Sequence, residues 1–226
     1  MRLDAIYVAR FPEADRRAKD AIWQVLCRHF FQRYVGREDV VLDLGPGFGE
    51  FLKHIHCGRR IAVDIERLSG RTLPEGTDEV LVPSDRLSSR VAPSSVDIVF
   101  CSNFFEHLPD KQTFLTTLAE IRAVLRPGGR LLVLQPNIRL VGGAYWDFVD
   151  HHLPLTDRTL IEACESIGFD VVEVIPRFLP YTTRSRLPQS PWLVRLYLAV
   201  RPAWWLLGGQ TWLVARKPVK APSVEL

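Results

Sequence analysis

The chain has 226 residues, 47% apolar and 24% charged, with 14 Gly, 16 Pro and 4 Cys. These values fit a globular chain with a sizeable core and exclude dominant disorder, a collagen-like repeat or a disulfide-rich scaffold. A net charge of +3 lacks the basic excess of a general nucleic-acid binder, so no nucleic-acid partner is expected. That charge is unevenly spread: residues 176–226 carry +7 and four of the six Trp, while residues 1–175 carry −4. A basic, Trp-rich segment on a mildly acidic body points to an anionic surface as its partner.

The N-terminal stretch MRLDAIYVARFPEADRR has acids and Pro12 where a signal peptide needs an apolar run. No run of about 18 uncharged apolar residues is present, so a spanning helix is not expected. Cys27, Cys57, Cys101 and Cys164 are widely spaced, with no CxxC pair. They read as reduced thiols of a cytoplasmic protein, with no metal framework and no disulfide staple.

Residues 13–34 read as an amphipathic helix, with Glu13 and Asp15 in its first turn and an apolar stripe through Ala18, Ile22, Val25 and Leu26. Val40–Leu44 is a short buried strand, followed by a helix over Glu50–His56 and a strand over Arg60–Asp64. A weak strand over Glu79–Val82 and a strong one over Val96–Cys101 come next. Lys111–Leu125 carries a helical stripe, and Pro127-Gly128-Gly129 is a turn before a strand over Arg130–Leu134. Thr156–Ser166 is a helix capped by Thr156 or Asp157 and ended by Gly168. Asp170–Ile175 and Gln210–Ala215 complete seven strands. Alternating strands and helices give an α/β, doubly wound, mostly parallel sheet. The expected organisation is an N-terminal helical segment (1–36), one domain (37–217) with insertions at 136–155 and 179–209, and a flexible tail (218–226).

Asp43-Leu44-Gly45-Pro46-Gly47-Phe48-Gly49-Glu50 leaves a strand and enters a helix. Its glycines allow a tight turn and close approach of a ligand. Ligands of such sheets lie beyond the carboxyl ends of the strands. Asp64, 19 residues after Gly45, ends the next strand, where a carboxylate can accept from a ribose diol. The spacing is GxGxG, and Glu50 stands where the dinucleotide fingerprint has its third glycine. Acids at Asp43 and Glu50 would repel a pyrophosphate, which disfavours a nicotinamide dehydrogenase. They favour a cationic ligand such as S-adenosylmethionine.

Four segments in order carry a family resemblance: Val41–Gly49, Ile61–Ile65, Val96–Leu108 and Glu120–Leu131. Together they resemble the class I S-adenosylmethionine-dependent methyltransferases of the broad type-11 group. The resemblance implies a Rossmann-like seven-stranded sheet whose last strand is antiparallel. It also implies S-adenosylmethionine as cofactor and S-adenosylhomocysteine as product. On that resemblance Gly45, Gly47 and Gly49 face the methionine part, with Asn103 beside it, and Asp43 is a cofactor-binding acid at the strand end. Asp64 binds the ribose, Ile65 flanks the adenine and Asp85 meets its amine.

A hydroxyl acceptor must lose a proton during transfer, so a base is expected near the reacting oxygen. Candidates are His151 and His152, with Asp147 or Asp150 to orient one of them, and His107 after the fourth strand. Tyr145 and Trp146 offer flat surfaces for a sugar, and Arg139 an anchor for an acidic group. The wording of residues 137–151 also resembles methyltransferases of bacterial surface-glycan synthesis. The expected function is therefore O-methylation of a glycan or lipid-linked sugar, with a small-molecule acceptor as the alternative. That alternative covers a small metabolite or a quinone-like lipid. A third reading is a catalytically silent member that only binds a cofactor or partner. Residues 191–207, rich in Trp and Leu and punctuated by Arg195 and Arg201, suit peripheral contact with the inner face of a membrane. Packing on the domain or against a second copy is the competing use, and the oligomeric state is left open.

Overall fold

A computed structural model describes residue 10, residues 12–181 and residues 190–219. The outer part of the expected tail, 220–226, and the middle of the second insertion, 182–189, lie outside the described residues. The helices used below are α1 (Glu13–His29), α2 (Glu50–His54), α3 (Lys111–Val124), α4 (Ile138–Val141), α5 (Asp157–Ser166), α6 (Pro191–Ala199) and α7 (Arg201–Leu207). The strands are β1 (Val40–Leu44), β2 (Arg59–Asp64), β3 (Asp78–Leu81), β4 (Val96–Ser102), β5 (Leu125–Pro136), β6 (Asp170–Ile175) and β7 (Gln210–Arg216).

The seven strands form one sheet in the order β3-β2-β1-β4-β5-β7-β6. β1 pairs in parallel with both β2 and β4, and β5 with β4. β7 runs antiparallel between β5 and β6, as the resemblance implies. Chain order reverses between β1 and β4, and sheets of this kind bind ligands beyond the carboxyl ends of the strands at such a switch point.

Side chains alternate between the two faces of each strand. Val99, Leu131, Val133, Leu213 and Ala215 meet Phe114, Leu118, Ile121 and Leu160 of α3 and α5. Ile98, Phe100, Leu132, Leu134 and Trp212 meet Leu26, Phe30, Phe51 and Trp204 on the other side. Among the described residues no helix is long and apolar enough to cross a membrane.

Several boundaries differ from the sequence expectation for identifiable reasons. The first helix stops at His29 and gives way to a 3-10 turn over Phe31–Tyr34. In such a turn residues three apart lie on one side, and Phe31 and Tyr34 both pack on Trp212, at 5.2 and 5.0 Å. β5 begins at Leu125 instead of Arg130. The expected Pro-Gly-Gly turn survives as an irregularity, with the register shifting between Val96 and Ile98. Thr156, not Asp157, caps α5 by accepting from the Thr159 N–H at 3.0 Å.

Candidate active site

The β1–α2 turn follows from its glycines. Gly45, Gly47 and Gly49 have φ of 72°, 56° and 94°, conformations that other residues adopt at a cost. A Cβ on Gly45 would lie 2.5 Å from the Phe104 ring, and one on Gly49 2.7 Å from the Thr72 carbonyl. Glycine at these two positions is therefore what lets the turn pack against Phe104 and Thr72.

Asp43, the penultimate residue of β1, is 2% exposed, and its Oδ2 has no hydrogen-bond partner. Burial and then the nearby Glu50 push its carboxyl well above the usual range, with Arg71 acting in the opposite sense. Lys19 lies 3.1 Å from Glu50 Oε1. An orphaned buried carboxylate is a ready acceptor for an ammonium or another donor from a ligand.

Asp64 sits at the end of β2. Its Oδ1 accepts from the Ile65 N–H at 2.8 Å, and its Oδ2 is paired with Arg71. Each carboxylate oxygen has two acceptor sites, so capacity for a ribose diol remains. Arg71 also donates to the Gly47 carbonyl at 2.7 Å and lies 3.3 Å from Glu79. It thereby ties the glycine turn, β2 and β3 together, a role nothing in its sequence context announced. Ile65 is 56% exposed. Asp85 lies in a 3-10 segment over Ser84–Ser89 rather than in an open loop. Asn103 takes a left-handed conformation, φ 49°, just past β4.

A second cluster lies at the carboxyl ends of β4 and β5. His107 Nδ1 is 2.9 Å from the Asp150 carbonyl and 3.4 Å from its carboxylate. His151 Nδ1 is 2.8 Å from the Tyr145 carbonyl, and the two imidazoles are in edge contact at 5.0 Å. Burial, and then the neighbouring His107, lower the His151 pKa to about 4. Glu106 is 1% exposed and accepts from Gln135 Nε2 at 2.9 Å; burial raises its carboxyl. Burial opposes the ionisation of Asp150, but Arg10 at 2.6 Å and the His107 ring hold its carboxyl below the usual range.

The structure redistributes the acceptor-side expectations. Asp150 faces His107, not its sequence neighbours His151 and His152. His152 is exposed, and its backbone N–H bonds the Glu106 carbonyl at 2.7 Å. Tyr145 is corrected outright as a sugar platform: it is fully buried, with its hydroxyl bonded to the Leu153 carbonyl. Trp146 remains 51% exposed. Arg139 is exposed and 3.9 Å from Asp157. Glu106 was missed in the sequence, although its place beside His107 in the fourth-strand segment was the available signal. Gln135 and Arg10 were missed as well; their roles depend on contacts far apart in the chain.

The sheet order and the reversed β7 match the fold of solved S-adenosylmethionine-dependent methyltransferases. Residues 14–174 match the family model described as "Methyltransferase domain", and the chain belongs to that family. A curated relative, "Probable methyltransferase ltbC" of Aspergillus luteorubrus, is 31% identical over 119 residues. That match takes in 45% of this chain and 41% of the relative, so the chain spans about two fifths of its length. A solved S-adenosylmethionine-dependent methyltransferase from Archaeoglobus fulgidus is 21% identical, with a TM-score of 0.63 over 88% of this chain and 94% of that one. The 1,6-didemethyltoxoflavin-N1-methyltransferase of Burkholderia thailandensis was solved with its substrate and S-adenosylhomocysteine. It is 20% identical, with a TM-score of 0.59 over 96% and 87% of the two chains. At these identities the solved structures speak for the fold alone.

The residues present fit S-adenosylmethionine, the cofactor of the class. The unpartnered Asp43 oxygen suits an ammonium, the glycine turn sits at the carboxyl end of β1, and Asp64 retains acceptor sites.

Proposed function

We propose that this chain transfers the methyl group of S-adenosylmethionine to a hydroxyl of a sugar, in a glycan or on a lipid-linked carrier, in the cytoplasm at the inner face of a membrane. The observation that carries this reading is the His107–Asp150 pair just past the carboxyl end of β4. Its imidazole is oriented through Nδ1 by the Asp150 carbonyl at 2.9 Å, leaving Nε2 to accept a proton. When bound, the cofactor supplies an electrophilic methyl carbon on a sulfonium that leaves as a neutral thioether. Everything else is the protein's work.

Asp43, the glycine turn, Asn103, Asp64, Ile65 and Asp85 are the residues proposed to hold the cofactor. His107 Nε2 takes the acceptor's hydroxyl proton, and Asp150, anchored by Arg10, holds the ring in place. Aligning the two partners is itself worth several kcal/mol. The exposed faces of Trp146 and Arg139 suit a sugar ring and an acidic substituent.

A second reading, a small metabolite or quinone-like lipid as acceptor, draws support from one feature. A pocket of about 230 Å³ lies between Leu140, Val141, Arg177, Tyr181 and Leu206, and its surface is more polar than apolar, which suits a small polar metabolite better than a quinone-like lipid. Labelled methyl transfer into fractionated envelope lipids, polysaccharides and small metabolites, read by mass spectrometry, separates the readings. Label in a sugar hydroxyl is the expected result. Label confined to metabolites would select the second reading, and cofactor binding with no transfer would make the chain a silent member of its family.

A further inference from the structure

The turn after β4 and the excursion after β5 bring Glu106, His107 and His151 together. One ligand atom from each lies within 4.8 Å of those of the other two. Each side chain is held from behind. His107 Nδ1 bonds the Asp150 carbonyl, His151 Nδ1 bonds the Tyr145 carbonyl, and Gln135 donates to Glu106 Oε2. A ring that gives its Nδ1–H to a carbonyl presents Nε2 as a lone pair, and outer contacts of this kind are what orient metal-binding imidazoles and carboxylates. Glu106 is buried to 1% exposure with an amide as its side-chain partner. An ionised carboxylate so placed is costly unless a cation compensates it.

We propose that Glu106, His107 and His151 form a site for one divalent transition-metal ion, with a coordination position left open toward the acceptor. This deepens the hydroxyl-acceptor reading and rests on it for its chemistry, though not for the binding itself. Two imidazoles and one carboxylate are the donor set of open catalytic zinc sites, whereas magnesium and calcium prefer all-oxygen cages. A tetrahedral zinc site with bonds near 2 Å has edges of about 3.3 Å, so the ion would draw the cluster inward by about an ångström. His107 is the ligand able to move: it ends a three-residue 3-10 turn, and its side chain is 29% exposed. The Glu106 carbonyl already accepts from the His152 and Leu153 N–H groups, so the ion would fasten two segments that the backbone has brought together. A hydroxyl in the open position becomes more acidic through coordination. With the ion bound, His107 Nε2 is a ligand and no longer the proton acceptor, and the coordinated hydroxyl releases its proton to solvent water. Acceptors with two adjacent hydroxyls, as sugars have, can chelate such an ion.

The test uses the full chain stripped with a chelator and titrated with Zn²⁺, then with Co²⁺, by calorimetry and visible absorption. One equivalent should bind, the cobalt form should show the spectrum of a nitrogen-ligated ion, and zinc should raise the Tm. Glu106→Gln and His107→Gln should each weaken zinc binding at least tenfold, while His56→Ala, away from the cluster, should leave it intact. Absence of saturable binding below about 1 mM, the weak end of specific affinities, would overturn the proposal. So would binding lost in His56→Ala but kept in the cluster variants. Methyl transfer to sugars by a chain that binds no metal sinks the metal site alone. Metal binding without a hydroxyl acceptor sinks the acceptor reading alone.

Discussion

At the scale of single residues, burial decides roles that residue type leaves open. Tyr145 and Trp146 are adjacent aromatics, and only contact with the rest of the chain places one inside and the other out. The same holds for the histidines: chemistry marks both His107 and His151, but their partners Asp150 and Tyr145 become visible only when two excursions fold against each other. Asp64 and the glycines were legible because their function depends on a local turn and a fixed spacing. Arg71 was not, since it links three separate segments. The His151 environment makes a checkable prediction about pH. Its pKa falls to about 4 in the folded chain, against about 6.5 when unfolded. The unfolded chain therefore takes up a proton first. The stabilisation is complete above pH 6.5 and is lost as the pH drops toward 4. Allowing for the ring's remaining access to water, the loss should be on the order of 2 kcal/mol. Urea unfolding of wild type and His151→Asn at pH 7 and pH 4.5 measures it. The wild type should lose more stability than the variant between the two; equal losses would mean that the ring is charged in the folded state.

At the scale of elements, the strands were legible because apolar runs between turn residues are a strong signal, and all seven lie within a few residues of their expected places. Edges moved where aromatic packing or a bulge intervened, as at Phe31 and at Leu125. The β1–α2 turn is the element on which the cofactor assignment depends, and glycine acts there in two separable ways. Gly45 needs a positive φ and also lies against Phe104, whereas Gly142, φ 57°, has nothing within 4 Å of a built Cβ. Gly142, with ψ −136°, lies in a region open essentially to glycine, so Gly142→Ala should cost the backbone strain alone, about 1–3 kcal/mol. Gly45→Ala adds a steric clash, should cost roughly 2–4 kcal/mol, and should abolish measurable S-adenosylmethionine binding. Thermal unfolding and calorimetry on the two variants read both effects. Normal cofactor affinity in Gly45→Ala would remove the turn from the binding site.

At the scale of the whole molecule, the sheet followed from alternation, but the use of the last excursion did not. Its helices are apolar on more than one side, a pattern that ordinarily belongs to a buried element. Here one side is buried: Val194, Tyr197, Leu198 and Trp204 pack on the core, and Trp204 Nε1 bonds the Tyr197 carbonyl at 2.8 Å. The other side exposes Trp192 at 66%, Trp205 at 74% and Leu206 at 70%, flanked by Arg195 and Arg201. No acid occurs in the sequence between residues 176 and 219. Trp and Leu beside arginines match the headgroup level of an anionic bilayer, and such a contact would hold the chain where a lipid-linked acceptor resides. Substituting Trp204 would test the core instead of this surface, so the informative variant is Trp192→Ala/Trp205→Ala. The intact chain should pellet with phosphatidylglycerol vesicles, less with phosphatidylcholine, and less as salt rises. The double variant should bind the anionic vesicles at least tenfold more weakly with an unchanged Tm. Equal pelleting of the two proteins would refute the membrane role. A wild type that elutes as a dimer beside a monomeric variant would assign the same face to a second copy of the chain, since a helix side that apolar needs some cover and the bilayer would then not be it.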